Sequence, residues 1–280
     1  MKTGYGFTEF ENAKEFKTWL GKQKVTRKVN RLQVHHMWMP DYSCWKKDNA
    51  LRRQHNTKDY HIHTNHWDDI AQHFSIFPNG HIVTGRSLNK TPIGIKGWNT
   101  NAICVEIYGN FDKGHDKMTG KQKEAVIALY GELCKKFKLT PSTSTIRPHC
   151  WFTAGGTYLG KYDSSRSAKT CPGTNFMGYG CSPSGFAKFI NEVKAYVNGK
   201  EAPKEEAKSS SFKRYIAKPT VDGLVCRKGP GVEHDKVAMI DIDIAITIVD
   251  EEKAKDGGTW LKCKAGYYVN KKYMKFVRYI

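Results

Sequence analysis

Apolar side chains recur at helical spacing in two stretches before residue 200. The two sets follow the i, i+3, i+4, i+7 rule of an amphipathic helix, at Val126, Leu129, Tyr130, Leu133, Cys134 and Phe137, and at Phe186, Phe189, Ile190, Val193 and Val197. Thr119 and Gln122 form a capping box ahead of the first set, and Asn198-Gly199 is a stop signal after the second. The pattern therefore predicts two helices, each with one apolar face.

Short apolar or alternating runs lie between the N-terminus and these helices and predict strands. The runs are LQVHHMW (32–38), QHFSIF (72–77), HIVTGR (81–86), AICVEIYG (102–109) and TIRPH (145–149). The segment PNG at 78–80 joins the second and third runs as a hairpin. A further capping box, Thr8 with Glu11, predicts a helix ending near Leu20. The expected fold is α/β, a mixed central sheet flanked by helices.

The composition changes between residues 198 and 211. This stretch contains GKEAPKEEAKSSS, which is small, charged and without apolar periodicity, as is typical of a flexible linker. The sequence therefore predicts a first domain at 1–197, a linker at 198–211 and a second domain at 212–280. The second domain has strand-like runs and turns but no helical periodicity, which favours a small all-β barrel.

Lysine and arginine outnumber the acidic residues, giving a formal net charge of +19. Such a charge favours nucleic acid, a membrane surface or an acidic cell-wall polymer as partner, although a solvated lysine-rich surface explains it equally well. The chain has no zinc-finger, helix-turn-helix or aromatic RNA-binding signature, which argues against nucleic acid. No apolar run approaches membrane-spanning length, so stable membrane insertion is not expected.

The N-terminal segment lacks the apolar core of a signal peptide, because Glu9, Glu11 and Glu15 interrupt it. We therefore expect synthesis in a cytoplasm. The chain has 8 cysteines, scattered without regular spacing, and most are expected to be buried free thiols.

Three histidines and one cysteine lie at predicted strand ends or in loops, where a rigid scaffold still admits solvent. They are His35, His36, His149 and Cys171. A catalytic zinc site needs three protein ligands and an open position, and two imidazoles with one thiolate satisfy that need. Each residue taken alone is more often structural, and the chain has no local signature such as H-E-x-x-H. Spacing alone leaves the ligand set open.

Several motifs, taken in order, resemble one enzyme family. QVHHMW, AQHFSIFPNGHIVTGR, AICVEIYGNFD, RPH and KTCPGTNF follow one another over residues 25–180. Together they resemble the zinc-dependent N-acetylmuramoyl-L-alanine amidases of the type 2 family, which includes phage lysozyme-like amidases and peptidoglycan-recognition proteins. The resemblance implies hydrolysis of the amide bond between the lactyl group of N-acetylmuramic acid and L-alanine in bacterial peptidoglycan.

The same resemblance implies roles for individual residues. The family's zinc ligands correspond to His35, His149 and Cys171, and Zn2+ is the implied cofactor. His36 competes with His35 for the first position. Successive strand residues point to opposite faces, so only one of these two histidines is expected to face the metal.

Two further residues are implied to act on the substrate. Glu106, in the CVEIYG motif, corresponds to the family's strand glutamate and is expected to be the general base, with a structural charge tied to backbone as the alternative. Lys169 precedes Cys171 by two residues and is expected to stabilise the oxyanion, the alternative being an exposed lysine beside a buried thiol. Where many relatives have a tyrosine this chain has Gln72, so no tyrosine role carries over.

The second domain resembles the bacterial SH3-like domain, on GLVCRKGPG near its start and TWLKCKAGYYVNKKYMKF near its end. Such domains bind cell wall in bacterial hydrolases. The pairing implies a phage endolysin that stays in the host bacterial cytoplasm until another agent releases it to the wall. Peptidoglycan and anionic cell-wall polymers are the implied partners, and the oligomeric state stays open. Candidates for stacking on sugars or peptide, unless they belong to the core, are Tyr215, Trp260, Tyr267 and Tyr268.

Two alternatives from other classes accompany this hypothesis. A non-catalytic recognition protein would bind peptidoglycan through the same groove, but such family members lose the cysteine ligand, whereas Cys171 is present here. A basic nucleic-acid-binding protein would bind DNA with a steep salt dependence and would leave cell walls intact.

Overall fold

A computed structural model of the chain describes residues 1–45, 49–199 and 212–280. The chain divides into two compact units, Met1–Glu205 and Glu206–Ile280, and each has its own hydrophobic core. The linker predicted at 198–211 lies outside the described residues except for Asn198 and Gly199, which follow the last helix of the first unit.

Within the described residues, seven strands form the sheet of the first unit. They are β1 (Lys2–Gly4), β2 (Phe7–Phe10), β3 (Arg31–His36), β4 (Phe74–Ile76), β5 (Ile82–Thr84), β6 (Ala102–Ile107) and β7 (Ile146–Pro148). Their order across the sheet is β1-β2-β5-β4-β6-β3-β7. β3 is parallel to β6 and to β7, and β4 is parallel to β6, whereas the other neighbours are antiparallel. The sheet is therefore mixed, as the sequence predicted.

Four α-helices accompany this sheet in the described part of the unit. They are α1 (Ala13–Lys22), α2 (Ala50–Asp59), α3 (Gly120–Phe137) and α4 (Pro183–Val197). α2 continues into one π-helical turn at Tyr60–Thr64. Among the described helices, none combines the length and the apolar composition needed to cross a membrane.

The sheet has a large core on one face and a smaller apolar cluster on the other. Ile82 belongs to the large core, together with apolar residues of α1, α3 and α4. Val83, the next residue of β5, belongs to the smaller cluster with Ala50 of α2. Adjacent residues of a strand point to opposite faces, so helices cover both faces of the sheet.

The helices α3 and α4 confirm their predictions. Thr119 Oγ1 accepts a hydrogen bond from the Gln122 amide at 3.1 Å, as the capping box requires. The Gln122 side chain turns inward instead of completing the box, and it donates to the carbonyls of Ile76 and Tyr108. Asn198 ends α4, as the stop signal indicated.

The capping box predicted at Thr8 and Glu11 is wrong. Thr8 lies in β2, where its backbone N–H donates to Thr84 Oγ1, and the helix begins only after Asn12. Asn12 Oδ1 accepts from the Glu15 amide at 3.0 Å, and the Glu15 carboxylate accepts from the Glu11 amide. Pairing of β2 with β5 keeps this segment extended, so a later residue caps the helix.

Each of the five strand-like runs of the first unit contains a strand, so these predictions are confirmed. β4 and β5 pair antiparallel around residues 78–80, as the hairpin signal predicted. The elements β1, β2 and α2 were not predicted from the sequence. The helix α2, ALRRQHNTKD, has only two apolar side chains at its start, so its amphipathic signal is weak.

The second unit is described from residue 212 and is all β. Its strands are β8 (Tyr215–Pro219), β9 (Leu224–Arg227), β10 (Lys236–Ile240), β11 (Ile246–Lys253), β12 (Thr259–Cys263), β13 (Tyr268–Asn270) and β14 (Met274–Tyr279). They form one antiparallel sheet in the order β10-β9-β13-β12-β11-β8-β14. An all-β second unit is confirmed, and the SH3-like barrel stays a prediction.

The aromatic residues considered for sugar stacking belong mainly to the core of the second unit. Tyr215, Trp260 and Tyr268 are buried, and Tyr267 is half-buried. The hydroxyls of Tyr215 and Tyr268 each donate to a glutamate carboxylate. Their packing and hydrogen bonds lie inside the unit, which favours the alternative that they belong to the core. The aromatic residues that are exposed here are Tyr273, Phe276 and Tyr279.

His73 is buried in the first unit with both ring nitrogens hydrogen-bonded. Nδ1 accepts the backbone N–H of Cys104 at 3.0 Å, and Nε2–H donates to the Lys90 carbonyl at 3.0 Å. Burial lowers the pKa of His73 to about 3, and the nearby Arg27 guanidinium acts in the same direction. The ring is therefore neutral in the folded protein at neutral pH.

We predict that His73 makes the first unit less stable as the pH falls below about 6.5, the ordinary pKa of histidine, and down to about 3. In this range the unfolded chain binds a proton at His73 and the folded chain does not, so acid favours unfolding. Thermal unfolding should be measured for the parent and for His73→Gln across this range. The melting temperature of the variant should be lower than that of the parent at neutral pH and should fall less steeply as the pH is lowered. Identical slopes for the two proteins would contradict this role of His73.

Candidate active site

Three parallel strands bring their carboxyl ends to one edge of the first sheet. His35 lies near the end of β3, Glu106 near the end of β6, and His149 directly follows β7. In the register between β3 and β6, His35 pairs with Glu106. Ligands of open α/β sheets bind in the crevice outside the carboxyl ends of the strands. The sheet alone therefore assembles three of the predicted site residues.

β3 separates its polar residues from its apolar ones. Leu32 and Val34 face the large core with the helices. Gln33 and His35 alternate with them and point to the other side. All four are buried, since β3 has a paired strand on each side and is covered on both faces. The alternation therefore places a polar pair in a dry environment.

A turn at residues 170–174 brings Cys171 against the end of β3. The Asp112 carboxylate holds both sides of this turn, because it accepts from the Thr170 hydroxyl at 2.8 Å and from the Thr174 amide at 2.9 Å. Cys171 Sγ in turn accepts the backbone N–H of His36 at 3.3 Å. The thiol is thus fixed by a loop, whereas the histidines are fixed by strands.

His35, His149 and Cys171 converge on one point. Nδ1 of His35 lies 3.2 Å from Nδ1 of His149 and 3.5 Å from Sγ of Cys171. In the part of the chain that the structure describes, these three form the one group of such side chains able to hold a metal ion, with their ligand atoms within 4.8 Å of one another. Two imidazole nitrogens and one sulfur suit a borderline-soft divalent metal.

Burial favours the neutral form of all three groups. Burial lowers the pKa of His35, and it lowers the pKa of His149 to about 4. The positive charge of Lys169 acts in the same direction on both imidazoles. Burial raises the pKa of the Cys171 thiol. Neutral imidazole is the state that binds a metal, so burial prepares both histidines for that role.

His36, the alternative to His35, points elsewhere. Its Nδ1 accepts the backbone N–H of Phe111 at 3.1 Å, and its ring packs on the Phe111 ring. Burial lowers the pKa of His36 to about 4. The structure therefore brings His35 together with His149 and Cys171, and it directs the His36 imidazole to the loop after β6.

Glu106 lies beside this group, and one of its two carboxyl oxygens has no hydrogen-bond partner among the described residues. Its Oε1 is 3.8 Å from Nδ1 of His35. Its Oε2 is buried and has no hydrogen-bond partner among the residues described. Burial raises the pKa of Glu106 to about 8, and the charge of Lys169 partly opposes this rise. A carboxyl group that titrates near neutrality is suited to accept and return a proton.

One cavity of about 360 Å³ joins all five predicted site residues. Lys169 is exposed at the cavity wall. Its positive charge lowers the pKa values of the imidazoles and of Glu106. The remaining wall comes from the end of β3 and from the cysteine turn, at His36, Met37, Trp38 and Thr170. The cavity therefore has the ammonium group of Lys169 at its wall, beside a group of metal-type ligands.

Three residues of this site, namely Gln33, Trp38 and Asp112, were not predicted from the sequence. Gln33 touches His35, and its place two residues earlier on the same strand face was the available signal. Trp38 is 60% exposed and has a φ of +61°, which is uncommon for a bulky side chain. No local signal marks Asp112, because its partners come from the distant cysteine turn.

Gln72, at the position of the family tyrosine, does not line the cavity. Its side chain is fully buried, and Nε2 donates to Ser75 Oγ at 2.9 Å. This position therefore presents no hydroxyl group to a substrate.

Residues 25–174 match the family model Amidase_2, described as N-acetylmuramoyl-L-alanine amidase. The match covers more than half of the chain and spans all five predicted site residues. No curated protein sequence matches the chain.

Several solved structures resemble part of the chain. The N-acetylmuramoyl-L-alanine amidase LysC from Clostridium intestinale is 23% identical to this chain, with a TM-score of 0.39. The matched region covers 61% of this chain and 87% of the LysC chain. The endolysin amidase LysCS from the same organism is 24% identical, covers 61% and 85%, and has a TM-score of 0.38. Drosophila PGRP-LB is 18% identical, covers 54% and 78%, and has a TM-score of 0.41.

We predict that Gly173→Ala disrupts the turn that carries Cys171. Gly173 has a φ of +117°, and a Cβ there would lie 2.3 Å from the backbone oxygen of Phe111. Gly178→Ala is the matched control, because Gly178 has a φ of +83° with nothing within 4 Å of a Cβ. The control should lose about 1 kcal/mol of unfolding free energy, which is the cost of placing alanine in a left-handed backbone conformation. Gly173→Ala should lose clearly more, because it adds the steric clash to that cost. Denaturant titration compares them, and equal losses would contradict the steric argument.

Proposed function

Because the chain belongs to the N-acetylmuramoyl-L-alanine amidase family, we propose that it hydrolyses the amide bond between the lactyl group of N-acetylmuramic acid and L-alanine in peptidoglycan. The observation that carries this proposal is the convergence of His35, His149 and Cys171 beside Glu106 in one cavity. The thiol at position 171 favours an enzyme over a protein that only recognises peptidoglycan.

The three converging side chains fit a zinc ion. Zinc accepts nitrogen and sulfur ligands, and catalytic zinc sites use three protein ligands with one position left open. Nδ1 of His35, Nδ1 of His149 and Sγ of Cys171 supply such a set, and the cavity beside them leaves room for substrate. Bound zinc supplies Lewis acidity, which polarises a carbonyl group and activates water at neutral pH.

Glu106 serves as the general base of this mechanism. Its carboxylate takes the proton of the attacking water, since the Glu106 side chain lines the cavity beside the converging His35, His149 and Cys171. The proton then passes from Glu106 to the nitrogen of L-alanine as the amide bond breaks. A pKa raised by burial allows the carboxyl group to hold the proton between these two steps.

Lys169 stabilises the negative charge of the transition state. The carbonyl oxygen gains charge as the amide carbon becomes tetrahedral, and an ammonium group at the cavity wall attracts that charge.

We extend the proposal to the whole chain as a phage endolysin made in the host cytoplasm. The second unit, by its resemblance to bacterial SH3-like domains, holds the enzyme on the cell wall, and the net charge of +19 is attracted to anionic wall polymers. Cosedimentation with intact walls at low and high ionic strength tests this role. Absence of binding at low ionic strength would contradict it.

Mass spectrometry of digested peptidoglycan tests the reaction itself. An amidase produces new amino-terminal L-alanine and no new reducing sugars. New reducing ends would identify a glycosidase instead, and an intact polymer after incubation with folded, zinc-loaded protein would overturn the proposed activity.

We predict that Cys171→Ser loses zinc and activity together, because a hydroxyl group is a poor substitute for a thiolate ligand. Cys134→Ser is the matched control, since Cys134 is equally buried but lies in α3, among the residues of the large core. The control should lose stability yet keep zinc and activity. Metal content by mass spectrometry and wall lysis are the measurements; full zinc content in Cys171→Ser would refute the ligand assignment.

We predict that Glu106→Gln and Lys169→Met keep zinc and fold but each lower kcat by about 100-fold, the scale of losing one proton-transfer or oxyanion contact. Lys161→Met is the control for charge, because Lys161 is exposed and outside the cavity wall. Steady-state hydrolysis of soluble muropeptides measures the effect. If either variant keeps the parental rate, the role given to that residue is wrong.

A further inference from the structure

Gln33 lies two residues before His35 on the same face of β3, and its side chain is completely buried. Its carboxamide uses its full hydrogen-bonding capacity of two donors and two acceptor positions. Nε2 donates to the Trp98 carbonyl and to Asn99 Oδ1, both at 3.0 Å. Oε1 accepts the backbone N–H of Ile95 at 3.3 Å and lies 3.3 Å from Nε2 of His35.

Backbone groups fix the direction in which this carboxamide points. The Trp98 carbonyl can only accept a hydrogen bond, and the Ile95 amide can only donate one. A flipped carboxamide would place two acceptors together at Trp98 and two donors together at Ile95. The oxygen of Gln33 therefore faces His35.

This oxygen determines which nitrogen of His35 carries hydrogen. An amide oxygen only accepts, so Nε2 of His35 must be protonated to bond with it. A neutral imidazole has one such hydrogen, which leaves the lone pair of Nδ1 free. Nδ1 is the atom that faces His149 Nδ1 at 3.2 Å and Cys171 Sγ at 3.5 Å.

Gly94 leaves the space that the carboxamide occupies. A Cβ on Gly94 would lie 1.9 Å from Gln33 Oε1 and 3.1 Å from Cys104 Sγ. The Gly94 amide also donates to Asn99 Oδ1 at 2.9 Å, so segment 94–99 both encloses the carboxamide and supplies its partners. Any larger residue at position 94 would push the oxygen away from His35.

We propose that Gln33 is a positioning residue that holds His35 in the Nε2–H tautomer and so presents Nδ1 as a metal ligand. The inference rests on the zinc site of the proposed function. In this role, the side chain at position 33 must supply a hydrogen-bond acceptor to His35.

Two measurements on the full chain test this role. In the metal-free protein, long-range nitrogen–hydrogen NMR spectra identify which nitrogen of His35 carries hydrogen. Competition with a chromogenic chelator measures the affinity for zinc. Gln33→Met removes the acceptor at similar volume, so it should lose the preference for Nε2–H and weaken zinc binding by about 10- to 100-fold, as for other residues that orient a metal ligand.

Three further variants separate this role from packing. Gln33→Glu keeps an acceptor and should keep the tautomer, at a cost in stability where its carboxylate meets the Trp98 carbonyl. Gly94→Ala displaces the Gln33 oxygen and should weaken zinc binding, which provides a test even if Gln33→Met does not fold. Tyr130→Phe is the matched control, because it removes a buried 2.7 Å hydrogen bond to the Gln33 backbone oxygen but leaves the carboxamide in place.

Loss of the Nε2–H tautomer and weaker zinc binding in Gln33→Met or Gly94→Ala, with both retained in Tyr130→Phe, supports the proposal. An unchanged tautomer and affinity in the folded variants overturns it. Loss of the tautomer in Gln33→Glu, or an equal loss of affinity in Tyr130→Phe, also overturns it, since either result would indicate a packing role. No measurement uses peptidoglycan, so a parent protein that binds zinc through this tautomer but leaves peptidoglycan intact would refute only the proposed function.

Discussion

β3 pairs in parallel with β6 on one side and with β7 on the other. This pairing alone brings His35, Glu106 and His149 to one edge of the sheet, independently of any contact between their side chains. A slip of one residue in β3 would turn His35 into the helix-packed core, because alternate residues point to opposite faces. Cys171 depends on the sheet indirectly, since its turn rests against the end of β3 and is held by Asp112. The strand register therefore governs the positions of His35, Glu106 and His149 directly, and that of Cys171 through the contact of its turn with β3.

Burial of β3 on both faces creates the electrostatic character of the cavity. Polar groups removed from water must find partners inside the protein, and Gln33 does so completely. The imidazoles of His35 and His149 meet each other instead, beside the positive charge of Lys169, which disfavours protonation. As a result, the imidazoles stay unprotonated and keep free lone pairs, which suit a metal cation.

Helical and strand periodicity predicted most of the first unit, because such signals are local. The helix after Asn12 was misplaced because β2 is held extended by its distant partner β5. The predicted ligand set followed from family resemblance, and strand ends explain why His35 and His149 meet. Gln33 and Asp112 escaped prediction because their partners lie far along the chain. Tyr215 stayed open between sugar stacking and the core, because its short strand has apolar residues on both faces and the pattern does not show which face is inside.

The backbone amide of His36 donates to Cys171 Sγ and lowers the pKa of that thiol against the effect of burial. Because this donor belongs to the main chain, exchanging the side chain at position 36 leaves it in place, and only proline lacks the hydrogen. β3 thus contributes two groups to the site, the imidazole of His35 and the backbone N–H of His36. Mutational scanning of side chains would detect the first contribution and remain blind to the second.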